Sequence, residues 1–350
     1  MAFNKWSTYL DVALLSHTVL TFFTVQQTKM HSRSSNLQYF ALSFVSLLLL
    51  RYTSSAYFGL AEPTSGLCLS VDQPNPIASI YPNNATGTLN GTIAVIPISL
   101  RLARQLIPPQ YGILEHAYRA LLPSFPQGMY PAIIQAVHDH DVQAFGYKID
   151  DFSVRTLYSQ RNQNLPEQRT GIEFPFVDLL GDNSTSFKWA PSLLMTAGHE
   201  IALKGAADYG TNTFPATFDP GCDAYRAVPK SRKPGTTYYS ARALESKTSI
   251  TTLFSSTQAE PFPLSFFKNF TNQPTFADGK TCDNMIKLFN TSVTTAPNTI
   301  ERVKGTVRAN IHPFNQEQEW RDVYGLRLDT AFIENNYLPC ENFRGYSGFE

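Results

Sequence analysis

The chain has 350 residues and no formal net charge at pH 7, and 16% of its residues are charged against 43% hydrophobic and 13% aromatic. This is enough apolar material for one large core or two small ones, and the neutral balance argues against nucleic acid as the main partner. The 23 prolines and 19 glycines are scattered without a period, which predicts many turns and excludes a collagen-like or disordered chain.

The first informative segment is the apolar run YFALSFVSLLLL at residues 39–50, which follows Arg33. Ser54 and Ala56 are small residues suitably placed for a cut after Ala56, so we expect residues 1–56 to be an N-terminal extension with a secretory signal peptide. The run is short for a membrane span. A second apolar patch, VALLSHTVLTFFTV, leaves a membrane anchor as the less favoured alternative, and a start at Met30 would give an ordinary signal peptide.

Secretion is also indicated by sequons, the Asn-X-Ser/Thr patterns that accept N-glycans in the secretory lumen. The five acceptor residues are Asn84, Asn90, Asn183, Asn269 and Asn290.

The cysteine count is consistent with the same compartment. All four cysteines follow the predicted cut, and an even number in an oxidising environment predicts two disulfides with three pairings open. They are Cys68, Cys222, Cys282 and Cys340, and none lies in a CxxC pattern, which argues against a zinc site.

Residues 57–91 are rich in Ser, Pro, Asn and Gly and predict an exposed, glycosylated lead-in, followed by a single domain over residues 92–350. In that domain TIAVIPI, DVQAFGYKI, IEFPFVDLLG, TTYYSARAL, SITTLFS and GTVRANIHPF are typical of strands. SLRLARQLIPP predicts a helix capped by Ser99 and stopped by Pro108 and Pro109, and PSLLMTAGHEIALKGAADYG and TCDNMIKLFN predict two more. The fold class expected is mainly β (α+β): an antiparallel barrel or closed sandwich with a few short helices around an apolar pocket.

The cluster AVHDHDVQ combines two residue types that commonly bind catalytic metals. On a strand, His138 and His140 would share one face and Asp139 and Asp141 the other, and a metal site would need a further ligand such as His312. We favour a polar turn that enters the next strand, and expect no metal and no cofactor.

The stretch FPFVDLLGDNSTSFKWAPSLLMTAGHEIALKGAADYG resembles the acetoacetate decarboxylase-like superfamily, as does SLRLARQLIPPQYGI upstream. In that family an A-G-R-E type motif precedes a reactive lysine, and residues 197–200 here have the same pattern with His199 in place of Arg. The resemblance covers about residues 92–230. It implies a barrel with a pocket in which a lysine forms a Schiff base with a carbonyl substrate.

The family's paired lysines would fall near Ala206 and Ala207, and neither position carries an amine. Lys204 lies two or three residues earlier, which on a helix is a rotation of about 200–300° and predicts that it points away from the pocket. A Schiff-base lysine must also be desolvated or lie beside another cation, and Lys204 has no cationic neighbour in sequence. We therefore expect Lys204 to be dispensable.

The function predicted is a secreted enzyme of secondary metabolism that binds an apolar small molecule, with no nucleic-acid partner and a homo-oligomer left open. The reaction expected is a non-covalent, hetero-Diels–Alder-type cyclisation, by analogy with the similar general character of fungal hetero-Diels–Alderases of tropolone sesquiterpenoid pathways. A lysine-dependent decarboxylase or aldolase using Lys204 or Lys148, and a non-catalytic binder of apolar ligands, are the alternatives. The catalytic candidates are His199 and Glu200, from the segment that carries the resemblance, and Tyr147 and Lys148 from a neighbouring strand.

Overall fold

The computed structural model describes residues 74–144, 147–148 and 167–348, and their secondary structure is mainly β. Fifteen strands belong to one sheet: β1 (Ala85–Ser99), β2 (Gly112–Ile113), β3 (Met129–Ala144), β4 (Tyr147–Lys148), β5 (Glu167–Asp178), β6 (Phe187–Trp189), β7 (Ser192–Thr196), β8 (Asn212–Asp219), β9 (Arg226–Ala227), β10 (Thr237–Ala243), β11 (Ser249–Ser256), β12 (Thr275–Phe276), β13 (Thr281–Leu288), β14 (Glu301–Asn310) and β15 (Gln318–Pro339). The helices described are α1 (Leu100–Leu106), α2 (Glu115–Leu121), α3 (Glu200–Ala207) and α4 (Leu264–Thr271).

The sheet closes on itself, as a barrel-like fold requires. Its strand order is β13-β12-β6-β5-β7-β8-β10-β11-β14-β15-β1-β3-β4, and the additional pairings β13–β15 and β5–β3 join its distant parts. These pairings create a smaller ring that runs β13-β12-β6-β5-β3-β1-β15. The prediction of a β-rich, closed architecture with a few short helices is confirmed.

The centre of the sheet is buried on both faces. Strand β1 pairs antiparallel with β15 on one side and β3 on the other, and nearly all of its residues are buried. This is why TIAVIPIS is a continuous apolar run and does not alternate. Rings from β3, β5 and two helices extend the core: Tyr118 on α2 lies 5.8 Å from Phe176, which stacks on Phe266 of α4 at 5.9 Å.

Helix α1 forms where the sequence predicts it. The Ser99 hydroxyl accepts a hydrogen bond from the Leu102 amide at 3.1 Å, which caps the first turn, and the helix ends before Pro108.

Two other helix predictions need correction. The segment at residues 191–210 is not one helix, because its first half is strand β7, which pairs with β5 and β8, and only its second half is α3. TCDNMIKLFN is strand β13, which pairs with β12 and β15. In both cases pairing with distant strands overrides the local helical preference of Leu, Met and Lys.

The predicted boundary at residue 92 also needs correction, because it falls inside β1, which begins at Ala85. Residues 1–73, with the proposed signal peptide and Cys68, lie outside the described residues.

Disulfide formation is confirmed for the cysteines that are described. Cys282 is bonded to Cys340, and Cys222 is disulfide-bonded as well.

The predicted glycan acceptors differ in exposure. Asn183 and Asn290 are exposed and Asn84 is half-buried. Asn90 and Asn269 are 1% and 5% exposed, and their side-chain amides donate to Asp223 and to the Ser347 carbonyl oxygen. The folded structure is therefore incompatible with a glycan on either of these two residues, since each amide nitrogen is enclosed by protein.

Within the described residues no helix is long and apolar enough to cross a membrane.

Candidate active site

A cavity of about 680 Å³ lies inside the smaller strand ring. Strands β3, β5, β7, β13 and β15 and helix α3 provide most of its wall, and β6 contributes Lys188. The ionisable groups in the described wall are five carboxyl groups, three basic side chains, a histidine and two tyrosines: Asp139, Glu167, Glu173, Asp283, Glu334, Arg169, Lys188, Lys287, His199, Tyr209 and Tyr337. A wall with this many charged groups differs from the apolar pocket expected from the sequence.

Strand alternation explains why so many polar side chains face inward. On β5 the cavity face carries Glu167, Arg169 and Glu173, which are separated by even numbers of positions. Because side chains alternate between the two faces along a strand, all three point to the same side. On β13 the same rule places Asp283, Met285 and Lys287 on the cavity face. Paired strands with polar inner faces form the site.

Two of the basic side chains are held in ion pairs. Arg169 donates from Nε and Nη2 to the two carboxylate oxygens of Asp139, at 2.6 and 3.3 Å, which is the bidentate geometry that favours arginine. Lys188 Nζ lies 3.4 Å from Glu173 Oε2 and donates to the Thr271 carbonyl oxygen at 3.1 Å. Arg169 and Lys188 are therefore each paired with a carboxylate of the cavity wall.

Lys287 is different, because none of the described residues forms an ion pair with it. The residue is 1% exposed, and among the described residues the one hydrogen-bonding contact of its Nζ is with the Met285 sulfur at 4.0 Å. Burial, together with the like charges of Lys188 and Arg169, lowers the pKa of Lys287 to about 7, against the opposing effect of Glu173 and Asp139. This is the environment that keeps a lysine amine neutral and nucleophilic.

Two carboxyl groups of the cavity wall, Asp283 on β13 and Glu334 on β15, have raised pKa values. Burial raises the pKa of Asp283 to about 6, although Lys188, Arg169 and Lys287 oppose it. None of the described residues forms a hydrogen bond with its buried Oδ1. Burial and the neighbouring Asp283 carboxyl raise the pKa of Glu334 well above its usual value. Both carboxyl groups therefore hold a proton more strongly than usual, which suits them to proton transfer in the cavity.

Glu173 is the carboxylate that stays ionised. Burial acts to raise its pKa, but the combined effect of Lys188, Lys287 and a 2.7 Å hydrogen bond from Gln135 Nε2 leaves the pKa below its usual value.

Helix α3 presents small residues to the cavity. Ala202, Gly205 and Ala206 line it at helical spacing, and His199 lines it at the N-terminal cap. His199 Nδ1 accepts from the Ala202 amide at 3.3 Å, and its Nε2 lies 3.7 Å from Glu167 Oε2. His199 thus lies at the cavity wall, and its catalytic role stays a prediction.

The other predicted catalytic residues are placed differently. Glu200 is exposed and outside the cavity wall. Tyr147 and Lys148 form β4, which pairs with the end of β3, and their side chains lie outside the described part of the chain. Lys204 is on the outer face of α3, where its side chain is 74% exposed and pairs with Asp208. The rotation expected for Lys204 therefore matches the structure, and Ala206 occupies the inward position.

The histidine and aspartate cluster lies inside β3, so its interpretation as a turn is wrong. Asp139 faces the cavity, while the rings of His138 and His140 lie 4.0 Å apart. His140 Nε2 is 2.8 Å from the Asn90 side-chain oxygen. Among the described residues no three His, Cys, Asp or Glu side chains are arranged to hold a metal ion.

Sequence reasoning missed Lys188, Asp283, Lys287 and Glu334. Asp283 and Lys287 are four positions apart in TCDNMIKL, a spacing that places them on one face of either a strand or a helix. The spacing therefore does not identify the segment as a strand, and the pairing of β13 with β15 is what brings these residues to the cavity beside Glu334.

No protein-family model and no curated protein matches the chain. Solved structures with a similar fold include the enduracididine biosynthesis enzyme MppR with HEPES bound, at 9% identity and a TM-score of 0.43, covering 80% of this chain and 94% of that one. MppR complexed with pyruvate gives 9% identity and a TM-score of 0.40, covering 78% and 92%. An acetoacetate decarboxylase-like enzyme from Sphingomonas wittichii RW1 gives 8% and 0.36, covering 73% and 95%. These three structures are of enzymes, and similarity at this level assigns neither family, substrate nor reaction to this chain.

Proposed function

We propose that the protein is an enzyme in which the amine of Lys287 forms an imine with a carbonyl substrate. The observation that carries the proposal is the state of that amine, which is buried at the cavity wall, unpaired among the described residues and flanked by two like charges. With a pKa of about 7, about half of the amine is neutral at pH 7, against roughly one part in 2,500 for a lysine of pKa about 10.4.

The other lysines near the cavity are poorer nucleophiles. Lys188 is an ion-paired ammonium that also donates to a backbone carbonyl group, so its lone pair is occupied by a proton. Lys204 is exposed, and its hydrogen bond with Asp208 raises its pKa. The electrostatic role of Lys188 is to disfavour protonation of Lys287.

The cavity supplies the proton transfers that imine formation needs. Attack of the neutral Lys287 amine on a carbonyl carbon gives a carbinolamine, whose hydroxyl group leaves as water once it accepts a proton, and the nitrogen becomes an iminium. The raised pKa of Glu334 makes it the proton donor in the same cavity, and Asp283 is the group suited to return a proton near neutral pH.

The non-covalent cyclase and the apolar-ligand binder remain predictions. Neither requires a neutral lysine, and the charged wall favours the covalent mechanism over both. A borohydride trap separates them, because borohydride reduces an iminium to a stable amine and leaves a non-covalent complex unmodified.

The experiment incubates the protein with a methyl ketone and borohydride, then maps the adduct by mass spectrometry. The ketone is levulinamide, and Lys287→Met, Lys188→Met and Lys204→Ala are treated in parallel. We expect one adduct on Lys287 in the wild type, none in Lys287→Met and a wild-type yield in Lys204→Ala. An adduct on Lys188 in the wild type, or no adduct at all, would show that Lys287 is not the nucleophile.

A further inference from the structure

We infer that this site accepts an uncharged carbonyl compound and disfavours the corresponding carboxylate. The inference rests on the proposed imine at Lys287. It concerns the substrate class and, through it, the kind of bond that the enzyme makes or breaks.

The first argument is that no described cation of the wall is available to bind a substrate carboxylate. Arg169 has both donor positions of its bidentate pair on Asp139, and its Nη2 also contacts the Met285 sulfur at 3.2 Å. Lys188 is paired with Glu173. An anionic substrate would have to displace one of these carboxylates and leave it buried without a partner, which is costly.

The second argument is that the wall contains acids without a cationic partner. Neither Asp283 nor Glu334 forms an ion pair with a described residue, and no described group donates a hydrogen bond to the buried Asp283 Oδ1. A neutral substrate with a hydroxyl or amide N–H can donate to that oxygen. A carboxylate has no proton to donate at neutral pH and would add a like charge.

The third argument concerns Lys287 itself. It attacks only as the neutral amine, and a carboxylate bound beside it would favour the ammonium form and so lower the reactive fraction. In the described wall, Arg169 and Lys188 are compensated before any substrate enters, whereas Asp283 and Glu334 have no ion-pair partner.

An uncharged substrate implies chemistry other than the loss of carbon dioxide. The iminium on Lys287 loses an α-proton to a carboxylate such as Asp283 and becomes an enamine. The enamine carbon then bonds to the carbonyl carbon of an aldehyde, whose oxygen takes up the proton, and water hydrolyses the iminium to release product and free amine. The structure thus favours aldol-type formation of a carbon–carbon bond, or its reversal, over decarboxylation.

The test compares two probes of nearly equal size that differ in charge. Levulinate and levulinamide carry the same ketone, which is two methylene groups away from the carboxylate or the amide, so their intrinsic reactivity toward an amine is similar. Each is incubated with the full chain and borohydride at pH 7, and the rate of adduct formation on Lys287 is measured. We expect levulinamide to react at least about tenfold faster, a difference of roughly 1.4 kcal/mol.

A substitution at Asp283 tests whether the acidic wall causes the preference for levulinamide over levulinate. Asp283→Asn removes an acid and keeps the shape, so the preference for levulinamide should fall severalfold. Asp322→Asn is the matched control, since that side chain is 77% exposed and pairs with Lys304, away from the cavity wall. It should keep the wild-type ratio, and thermal melting establishes that both variants are folded.

The outcomes separate this inference from the proposal that it rests on. Absence of an adduct with both probes would refute the imine mechanism. An adduct that forms as fast or faster with levulinate would leave Lys287 as the nucleophile and overturn the inference on substrate charge. An unchanged ratio in Asp283→Asn would exclude that residue as the cause of the preference.

Discussion

At the scale of single residues, the reactivity of a lysine depends on its surroundings more than on its position in a motif. Lys204 and Lys287 have the same side chain, but Lys204 is exposed beside a carboxylate and Lys287 is buried beside two cations. Solvent and Asp208 stabilise the ammonium form of Lys204, whereas burial and like charge destabilise that of Lys287. The sequence motif therefore points to Lys204, whereas the environment of Lys287 becomes visible only in the folded cavity.

The pH dependence of imine formation follows from this environment. The rate should rise as pH increases through about 7, because the neutral form of Lys287 attacks, and level off above about pH 8. Stopped borohydride trapping at fixed times from pH 5.5 to 9 measures this profile. In Lys188→Met the midpoint should move to higher pH, because a like charge is lost and Glu173 is left without its partner. A midpoint that stays near 7 in the variant would show that Lys188 does not control the amine.

The lowered pKa of Lys287 also predicts how the stability of the fold changes with pH. In the unfolded chain Lys287 keeps its proton up to about pH 10.4, whereas in the folded chain it releases the proton at about pH 7. The free energy of unfolding therefore increases with pH between these two values. Below pH 7 the folded state carries the full cost of a buried ammonium group. Lys287→Met should therefore be more stable than wild type at pH 6, by up to roughly 4 kcal/mol, and the gain should shrink toward pH 10. Chemical denaturation of both proteins at pH 6 and 9.5 tests this. A gain that is independent of pH would mean that methionine packing, and not the buried charge, is the cause.

At the scale of elements, local sequence predicted those whose signals are local. Helix α1 has a serine cap and a proline stop, and most of the longer strands are rich in β-branched and aromatic residues. Strand β13 has neither signal, since its Met, Lys and Leu residues also favour helices. The residues of β15 with which it pairs lie more than 40 positions further along the chain. The site depends on that pairing, so its main residues could not be located before the fold was known.

Helix α3 allows a test of how its inner face limits the cavity. Among the described residues, a methyl group added at Gly205 would meet only the Tyr337 hydroxyl within 4 Å, at 3.8 Å. Gly205→Ala should therefore stabilise the protein by about 0.5–1 kcal/mol through the helix preference of alanine. Thermal or chemical denaturation measures this gain, and Gly91→Ala is the contrasting variant, since its added carbon would lie 2.3 Å from the Ala136 carbonyl oxygen. A loss of stability in Gly205→Ala would show that the cavity face of α3 is less open than the structure indicates.

At the scale of the whole molecule, the ring is closed by contacts between distant parts of the chain. Cys282 lies near the start of β13 and Cys340 directly follows β15, so their disulfide joins the two strands that carry Asp283, Lys287 and Glu334. The bond spans 58 positions. For a loop of this length the chain-entropy model gives about 4 kcal/mol of stabilisation.

Replacing both cysteines of this bridge by alanine should lower the free energy of unfolding by about that amount and slow adduct formation at Lys287, because β13 is then less firmly held against β15. Denaturant titration and borohydride trapping on the same preparation measure the two effects. A variant that loses stability but traps levulinamide at the wild-type rate would show that the disulfide stabilises the fold without positioning the amine.

Glycan occupancy is the last prediction at this scale, and it depends on entry into the secretory lumen. Of the five sequon asparagines, Asn183 and Asn290 are exposed and Asn84 is half-buried, while Asn90 within β1 and Asn269 within α4 are buried. Secreted protein should carry glycans on Asn183 and Asn290 and none on Asn90 and Asn269, since a glycan on either of the latter would prevent packing of the strand or helix around it. Enzymatic deglycosylation in heavy-oxygen water followed by peptide mapping reads each site separately, because the released asparagine becomes a mass-labelled aspartate. Asn183→Gln and Asn290→Gln should each remove one glycan without loss of folding, and a labelled Asn90 in folded, active protein would contradict the burial of β1.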